Sequence, residues 1–398
     1  MSSRRGGWRG KATAGLILLL ALPPVTNRQV SGAESQGRLG LKVNSAGLLT
    51  RNGAPYRGIG VNYYDAFIRT LRNPQDVSYR EGFSKLGDHH IPFARFAAGG
   101  YTAKDFQLYL TDKEAYFRVL DGVVQSAEKS NVGLIASLFW SIEAVSALEQ
   151  EPREAWGNPQ SKTRQFMRNY TRDVVSRYAS SPAIWGWEFS CELSLAVDLP
   201  NPPRNSGKVA ARALSVTNFQ SAAFDFAKVV RSLDPNRILL TGNSLPRPSA
   251  YHNMTDGTLA SDTEQQFATI LLRDNPAPFS PICIHTSPAA IERYFGDHKV
   301  SYQQLLQTCN NIGRSVGKPI YVEEFVPVPA RAGLFGGSGK DYFAKELNGI
   351  ETSGVPMASV WVYDRKLLPD RSNLTFENER SYMLDMIAAA NRRLHPQD

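Results

Sequence analysis

Cysteine is scarce: three residues in 398, Cys191, Cys283 and Cys309, an odd number that cannot all pair internally. No C-x-x-C occurs, and no histidines fall at metal-ligand spacing, which argues against a structural zinc site. The adjacent pair His89-His90 would point in divergent directions in any regular element and reads as a solvated helix end. There is no dense Lys/Arg run, so nucleic-acid binding has little support. No internal repeat and no linker divides the chain, and no G-x-G-x-x-G follows the first apolar strand, as an open dinucleotide-binding sheet would show.

Long apolar runs are also missing, with one exception near the N-terminus. Arg4, Arg5, Arg9 and Lys11 precede an apolar core over 12–22 that is too short to span a bilayer of ~30 Å, and Ser31 and Ala33 offer a cleavage site. Residues 1–33 are therefore expected to be a signal peptide, and 34–398 a secreted or periplasmic mature unit with no membrane partner after cleavage. The formal charge of +8 includes five basic residues from 1–33, where there are no acids, and falls to +3 without them.

What is present is a regular alternation. Strand-length apolar runs lie at Arg57–Asn62, Pro92–Ala97, Gly133–Phe139, Ala183–Ser190, Ile238–Gly242, Ile282–Thr286, Ile320–Phe325 and Ser359–Tyr363. Amphipathic stretches separate them, clearest at Lys113–Lys129, Thr163–Tyr178, Asn218–Leu233 and Tyr302–Arg314, with a last one at Glu377–Leu394. Near-continuous apolar strands between helices imply a parallel sheet covered on both faces, and eight such units imply an α/β fold closed as a single (β/α)8 TIM barrel. Chemistry in such a barrel sits at the C-terminal ends of the strands. Extended Pro- and Gly-rich loops fall there, at Leu199–Gly207, Leu245–Gly257 and Pro327–Gly339.

The fourth strand reads Trp185-Gly186-Trp187-Glu188-Phe189-Ser190-Cys191-Glu192. Alternation places Gly186, Glu188, Ser190 and Glu192 toward the barrel axis and Trp185, Trp187 and Phe189 toward the helices. Taken alone, Glu192 would pass for a surface carboxylate. The seventh strand, Lys318-Pro319-Ile320-Tyr321-Val322-Glu323-Glu324-Phe325, also ends in carboxylate. Carboxylates at the rims of strands four and seven face each other across the mouth, the pairing that glycosidic cleavage needs. Alternation does not decide between Glu323 and Glu324.

These motifs resemble glycoside hydrolase family 5 of clan A, in its mannanase-like and cellulase-like branches. The family's W-E-x-x-N-E is similar to Trp187-Glu188-Phe189-Ser190-Cys191-Glu192, and its K-P-x-x-x-x-E-F to Lys318 through Phe325. The resemblance covers nearly the whole chain after residue 33 and includes Arg57-Gly58 leading to Asn62, and the segment Trp156–Tyr178. It implies a retaining hydrolase of β-linked mannan- or glucan-type glycans, with Glu192 as acid/base and Glu324, rather than Glu323, as nucleophile. It further implies that Arg95 holds the nucleophile, that His285 is an active-site histidine, and that Trp361 floors the sugar subsite. Trp140, at another strand end, is a second candidate for sugar stacking. Arg95 could instead neutralise Glu188, and the tryptophans could simply pack. No cofactor and no metal are implied; the partner is a polysaccharide or oligosaccharide, and the protein is expected to be a monomer.

The departures are specific. Cys191 replaces the family asparagine, Leu193 a common proline, and Thr286-Ser287 follows His285 where the family has His-x-Tyr. Tyr294, from the next loop, is the candidate substitute for the missing tyrosine. These changes leave two alternatives open: a silent carbohydrate-binding barrel and a transglycosylase. For a retaining pair, the carboxyl groups are expected about 5–5.5 Å apart. Glu324 is expected to be ionised beside Arg95, and Glu192 to have a raised pKa from its like-charged neighbour. The sequons at Asn169, Asn253 and Asn373 matter only in a glycosylating host.

Overall fold

The computed structural model describes residues 39–197, 214–286, 294–296, 300–327, 339–367 and 372–395. The expected leader over 1–33, the loop at 199–207, Ser287 and most of the loop at 327–339 lie outside these. Among the described residues no helix is long and apolar enough to cross a membrane.

The described residues begin with a small antiparallel sheet of β1 (Leu41–Val43), β2 (Leu49–Arg51) and β3 (Ala54–Pro55). Eight parallel strands follow: β4 (Gly58–Asn62), β5 (Phe93–Ala97), β6 (Gly133–Phe139), β7 (Ile184–Ser190), β8 (Ile238–Leu240), β9 (Ile282–Thr286), β10 (Ile320–Phe325) and β11 (Met357–Val360). Their order is β8-β7-β6-β5-β4-β11-β10-β9, and an isolated bridge from Leu239 to Ser280 links the β8 side toward the start of β9. Every residue of these eight strands is buried, as both-face coverage requires. The expected (β/α)8 TIM barrel is the fold observed.

Helix starts follow local chemistry. The helix at Lys113–Lys129, bounded as expected, begins where the Asp112 side chain accepts the Ala115 N–H. Ser161 and Ser215 cap Lys162–Tyr178 and Val216–Leu233 in the same way. Ser301 and Gln304 close a reciprocal capping box on Tyr302–Ser315. The last helix begins at Ser381 rather than Glu377, because Thr375 and Asn378 side chains accept the N–H groups of 377, 378 and 380 and hold a turn there.

Two expectations about the strands are corrected. The eighth barrel strand is Met357–Val360, not Ser359–Tyr363: its ladder with β4 stops at Val360, and the following segment pairs instead with Leu374. Trp185 does not face the helices. The β6/β7 register slips between Leu134 and Ile135, and Trp185 packs with Tyr56 and Phe93 at the barrel floor. The rest of β7 alternates as expected. The Trp187 indole donates to Asp234 on the helix side, and Phe189 packs on Trp156 and Phe226.

Candidate active site

Arg95, near the end of β5, is fully buried on the barrel axis. A buried guanidinium needs partners for all its charge. Nε and Nη2 donate to the two oxygens of Glu188 at 2.7 and 2.8 Å, and Nη1 donates to Glu324 Oε1 at 2.6 Å and to Asn62 Oδ1 at 3.0 Å. Both readings of Arg95 thus hold together: it neutralises Glu188 and holds Glu324. The Trp140 ring lies against the guanidinium at 4.2 Å. Asn62 is itself buried; its amide donates to the Glu323 carbonyl at 2.8 Å, tying the first strand to the seventh.

The seventh strand contains the feature that strict alternation misses. The β10 register shifts between Val322 and Glu324, so that Val322 faces Ile284 and Glu324 faces His285. Glu323 and Glu324 both turn inward, and they do different things. Glu324 keeps 12% of its side chain exposed to the cleft, while Glu323 keeps none. His285 stands between them. Its Nδ1 lies 3.6 Å from Glu324 Oε1, and its Nε2 lies 3.3 Å from Glu323 Oε2.

Glu192 reaches the same imidazole from the other side. It follows β7 with φ +55°, a left-handed conformation, and its N–H donates to the Gly242 carbonyl at 2.7 Å. Gly242 is required here: a Cβ on it would sit 1.7 Å from the Ser190 carbonyl oxygen. So held, Glu192 places Oε1 3.1 Å from His285 Nδ1 with 44% of its side chain exposed. Two carboxylates from opposite strands thus share one ring nitrogen. A cleft of about 680 Å³ opens beside them, lined by Tyr101, Trp140, Glu143, Cys191, Glu192 and Arg247.

The electrostatics follow from this crowding. Burial opposes charge on His285, yet Glu324, Glu192 and Glu323 around it raise its pKa to about 10. Burial, reinforced by Glu188, raises Glu323 to about 7. The expected raised pKa of Glu192 is corrected. Burial does push it up, but the His285 hydrogen bond and charge, with Arg95 and Ser244, bring it below the ordinary carboxylate value. The three carboxylates around His285 thus favour its protonated form, one hydrogen bond from Glu192.

Other expected residues fall variously. Cys191 is half-buried and points its thiol at Glu324 Oε1, 3.9 Å away, with burial raising its pKa well above that of a free thiol. Trp361, just past β11, is half-buried beside Tyr64 and Trp140, with the Arg365 guanidinium 5.7 Å from its ring. Tyr294 does not replace the missing tyrosine: its hydroxyl donates to the Pro246 carbonyl at 2.8 Å and its ring packs on Phe267. Nor does Tyr302, whose hydroxyl pairs with Thr286. Of the sequons, Asn253 is buried and Asn169 exposed. Glu323, the alternative that alternation left open, is the buried partner of His285, whereas nothing local in the sequence marks two other parts of the site, Gly242 and Tyr64.

No family model matches the chain. Mannan endo-1,4-beta-mannosidase A of Podospora anserina is 30% identical over 141 residues, 33% of this chain and 33% of that one. The protein of the same name from Hypocrea jecorina is 34% identical over 133 residues, 32% of this chain and 26% of that one. The chain thus spans about a third or less of the curated relatives it matches. A glycoside hydrolase family 5 mannosidase of known structure from Rhizomucor miehei superposes with a TM-score of 0.63 at 12% identity, over 91% of this chain and 100% of that chain.

Proposed function

Starting from a barrel that resembles glycoside hydrolase family 5 in sequence and in fold, we propose that the protein hydrolyses β-linked glycans of mannan or glucan type with retention of configuration. One observation carries the reading: Glu192 and Glu324, from strands across the mouth, both reach His285 Nδ1, while only Glu324 is also held by Arg95. Arg95 holds the Glu324 carboxyl in place to attack the anomeric carbon. Glu192, exposed to the cleft, takes the Nδ1 proton of His285 and gives it to the leaving oxygen; it then takes one from the water that releases the glycosyl-enzyme and returns it to His285. Carboxylates close enough to share one nitrogen suit the short spacing of retaining enzymes, ~5–5.5 Å, better than the ~6.5–9.5 Å of inverting ones. Trp140 and Trp361 floor the sugar site. The basic and apolar leader over 1–33 supports export.

The test is a screen of the protein on mannan, glucan and xylan, with the anomer of the first product read by NMR. Retention predicts the β-anomer first. Azide should rescue Glu192→Ala with retained product and should yield no retained product with Glu324→Ala. An α-anomer first product would overturn the retaining mechanism. Sugar binding without any turnover would favour the silent carbohydrate-binding barrel.

A further inference from the structure

Three ligand atoms of different kinds meet at the barrel mouth. Cys191 Sγ, His285 Nδ1 and Glu324 Oε1 all lie within 4.8 Å of one another. The sulfur is 3.9 Å and the imidazole nitrogen 3.6 Å from the carboxylate oxygen. Around a tetrahedral cation with bonds of ~2.0–2.3 Å, ligand atoms stand roughly 3.3–3.7 Å apart. The two Glu324 contacts are near that spacing already, and the sulfur and the imidazole nitrogen, within 4.8 Å of each other, need draw together only by about an ångström.

The surroundings suit a cation as well as the ligands do. His285 turns its other nitrogen, Nε2, to the buried Glu323 at 3.3 Å. A histidine that gives its far N–H to a carboxylate has its near nitrogen oriented and made more basic, the usual support for a metal-binding imidazole. Arg95 Nη1 donates to the same Glu324 oxygen at 2.6 Å and fixes its position, leaving its other lone pair for the cation. Cys191 and Glu192 line the cleft, so a fourth position opens toward solvent, within reach of water or of Glu192 Oε1, which is 3.1 Å from His285 Nδ1. Thiolate, imidazole and carboxylate together favour a borderline-soft ion such as Zn²⁺ over Mg²⁺ or Ca²⁺.

We propose that Cys191, His285 and Glu324 form a binding site for a borderline-soft divalent cation of the Zn²⁺ type, and that its occupation shuts the site to substrate. On binding, the thiol and the Nδ1–H each release a proton to solvent while sulfur, nitrogen and oxygen lone pairs bond the cation; nothing is oxidised or reduced. Cys191 is the deciding ligand, because the asparagine that the resembling family carries there is a poor ligand for such an ion. Binding rests on geometry alone. Inhibition rests also on Glu324 being the nucleophile of a glycosidase.

Co²⁺ titration of the whole protein separates the two. The expected result is a thiolate-to-cobalt charge-transfer band in the near ultraviolet, displaced by Zn²⁺ and untouched by Mg²⁺. Cys191→Ser and Cys191→Asn, each checked for native circular dichroism, should lose the band and bind Zn²⁺ at least about 100-fold more weakly by calorimetry. Cys309→Ser, altered in a helix away from the cleft, should keep both. Glu323→Gln should weaken Zn²⁺ binding by roughly 10–100-fold. In glycan assays Zn²⁺ should stop the wild type reversibly to EDTA and leave Cys191→Asn unaffected. A band that survives in Cys191→Ser, or equal Zn²⁺ affinity in wild type and both Cys191 variants, overturns the site. A band in a protein that cleaves no glycan keeps the site and refutes the glycosidase.

Discussion

The floor of this barrel and the axis just below its mouth are both buried and are filled in opposite ways. At the floor, Phe93, Ile135, Trp185, Ile238, Leu240, Tyr321 and Met357 close on Leu41, Leu49 and Tyr56 of the N-terminal sheet, and Arg51 stacks on Trp185 at 4.1 Å. A few ångströms up the same strands, the axis holds Arg95, Glu188, His285, Glu323 and Glu324, all buried. β5 passes from Phe93 to Arg95 and β10 from Tyr321 to Glu323. Apolar packing supplies stability at the floor, because removing its atoms leaves a cavity. At the mouth, four carboxylates crowd around two cations, an arrangement kept for chemistry at a cost in stability.

That contrast is broken most decisively at Glu324. Glu324→Ala should lower kcat/KM by roughly 10⁴-fold or more, the scale seen when a covalent nucleophile is removed. Thermal stability should hold or rise, since one of the crowded carboxylates is gone. A Glu324→Ala protein that unfolds easily but keeps its turnover when folded would reverse the roles of the two layers. The mirror experiment is Trp185→Ala. It should destabilise by about 3–5 kcal/mol in denaturant titration, with kcat unchanged at a temperature where the protein stays folded.

Stability against pH sharpens the comparison, because the mouth holds groups pushed upward, Glu323 to about 7 and His285 to about 10. Glu323 is raised from 4.5 to about 7, so between those values the folded protein holds a proton that the unfolded chain lacks. Stability therefore falls as pH rises through that window, by on the order of 3 kcal/mol from this group. His285, raised from 6.5 to about 10, acts in the same direction: its contribution is whole below 6.5 and is lost as pH rises toward 10. Carboxylates held below their ordinary values, such as Asp105 beside Arg72 and Asp225 beside Arg168, lose their contribution on the acid side. Maximum stability is expected near about pH 5. Glu323→Gln should flatten the fall between pH 5 and 8 in thermal melts, and an unchanged profile would place the titrating group elsewhere.

The two layers were not equally legible in the sequence. Apolar runs between amphipathic helices announce eight strands because burial on both faces leaves little room for polar residues. The short strands β1–β3, partly exposed and two or three residues long, carry no such pattern. Slips of register are the main loss. One residue of slip on β7 sends Trp185 to the floor, and a bulge on β10 turns both Glu323 and Glu324 inward. A period of two cannot represent either. The motif resemblance singles out Glu192 and Glu324 by position, but the protonation of Glu192 depends on a nitrogen 93 residues away that approaches to 3.1 Å. Such distances are products of the closed barrel and have no local signature.

The smallest expected effect concerns the one residue at the mouth that behaves like a floor residue. Cys191 is small, half-buried and packed, as Trp361 is, against the buried group of Tyr64, Ala97, Trp140 and Val362, yet it points at Glu324. A thiol donates and accepts hydrogen bonds weakly. It also lacks thiolate character here, because burial, with Glu324, Glu192 and Glu188 nearby, raises its pKa, and Arg95 only partly offsets them. In the resembling family an asparagine at this place binds the sugar 2-hydroxyl, a contact that tightens at the transition state. Restoring an amide by Cys191→Asn should therefore raise kcat/KM on mannan or glucan by about tenfold, the worth of one ordinary hydrogen bond, near 1.4 kcal/mol. The gain should appear mainly in kcat, since the contact strengthens as the ring flattens. Assays in EDTA exclude any effect of bound metal. If the rate stays flat while Glu192→Ala abolishes it, position 191 packs rather than recognises sugar, and the apolar layer reaches one residue higher on the fourth strand than the mouth's chemistry implies.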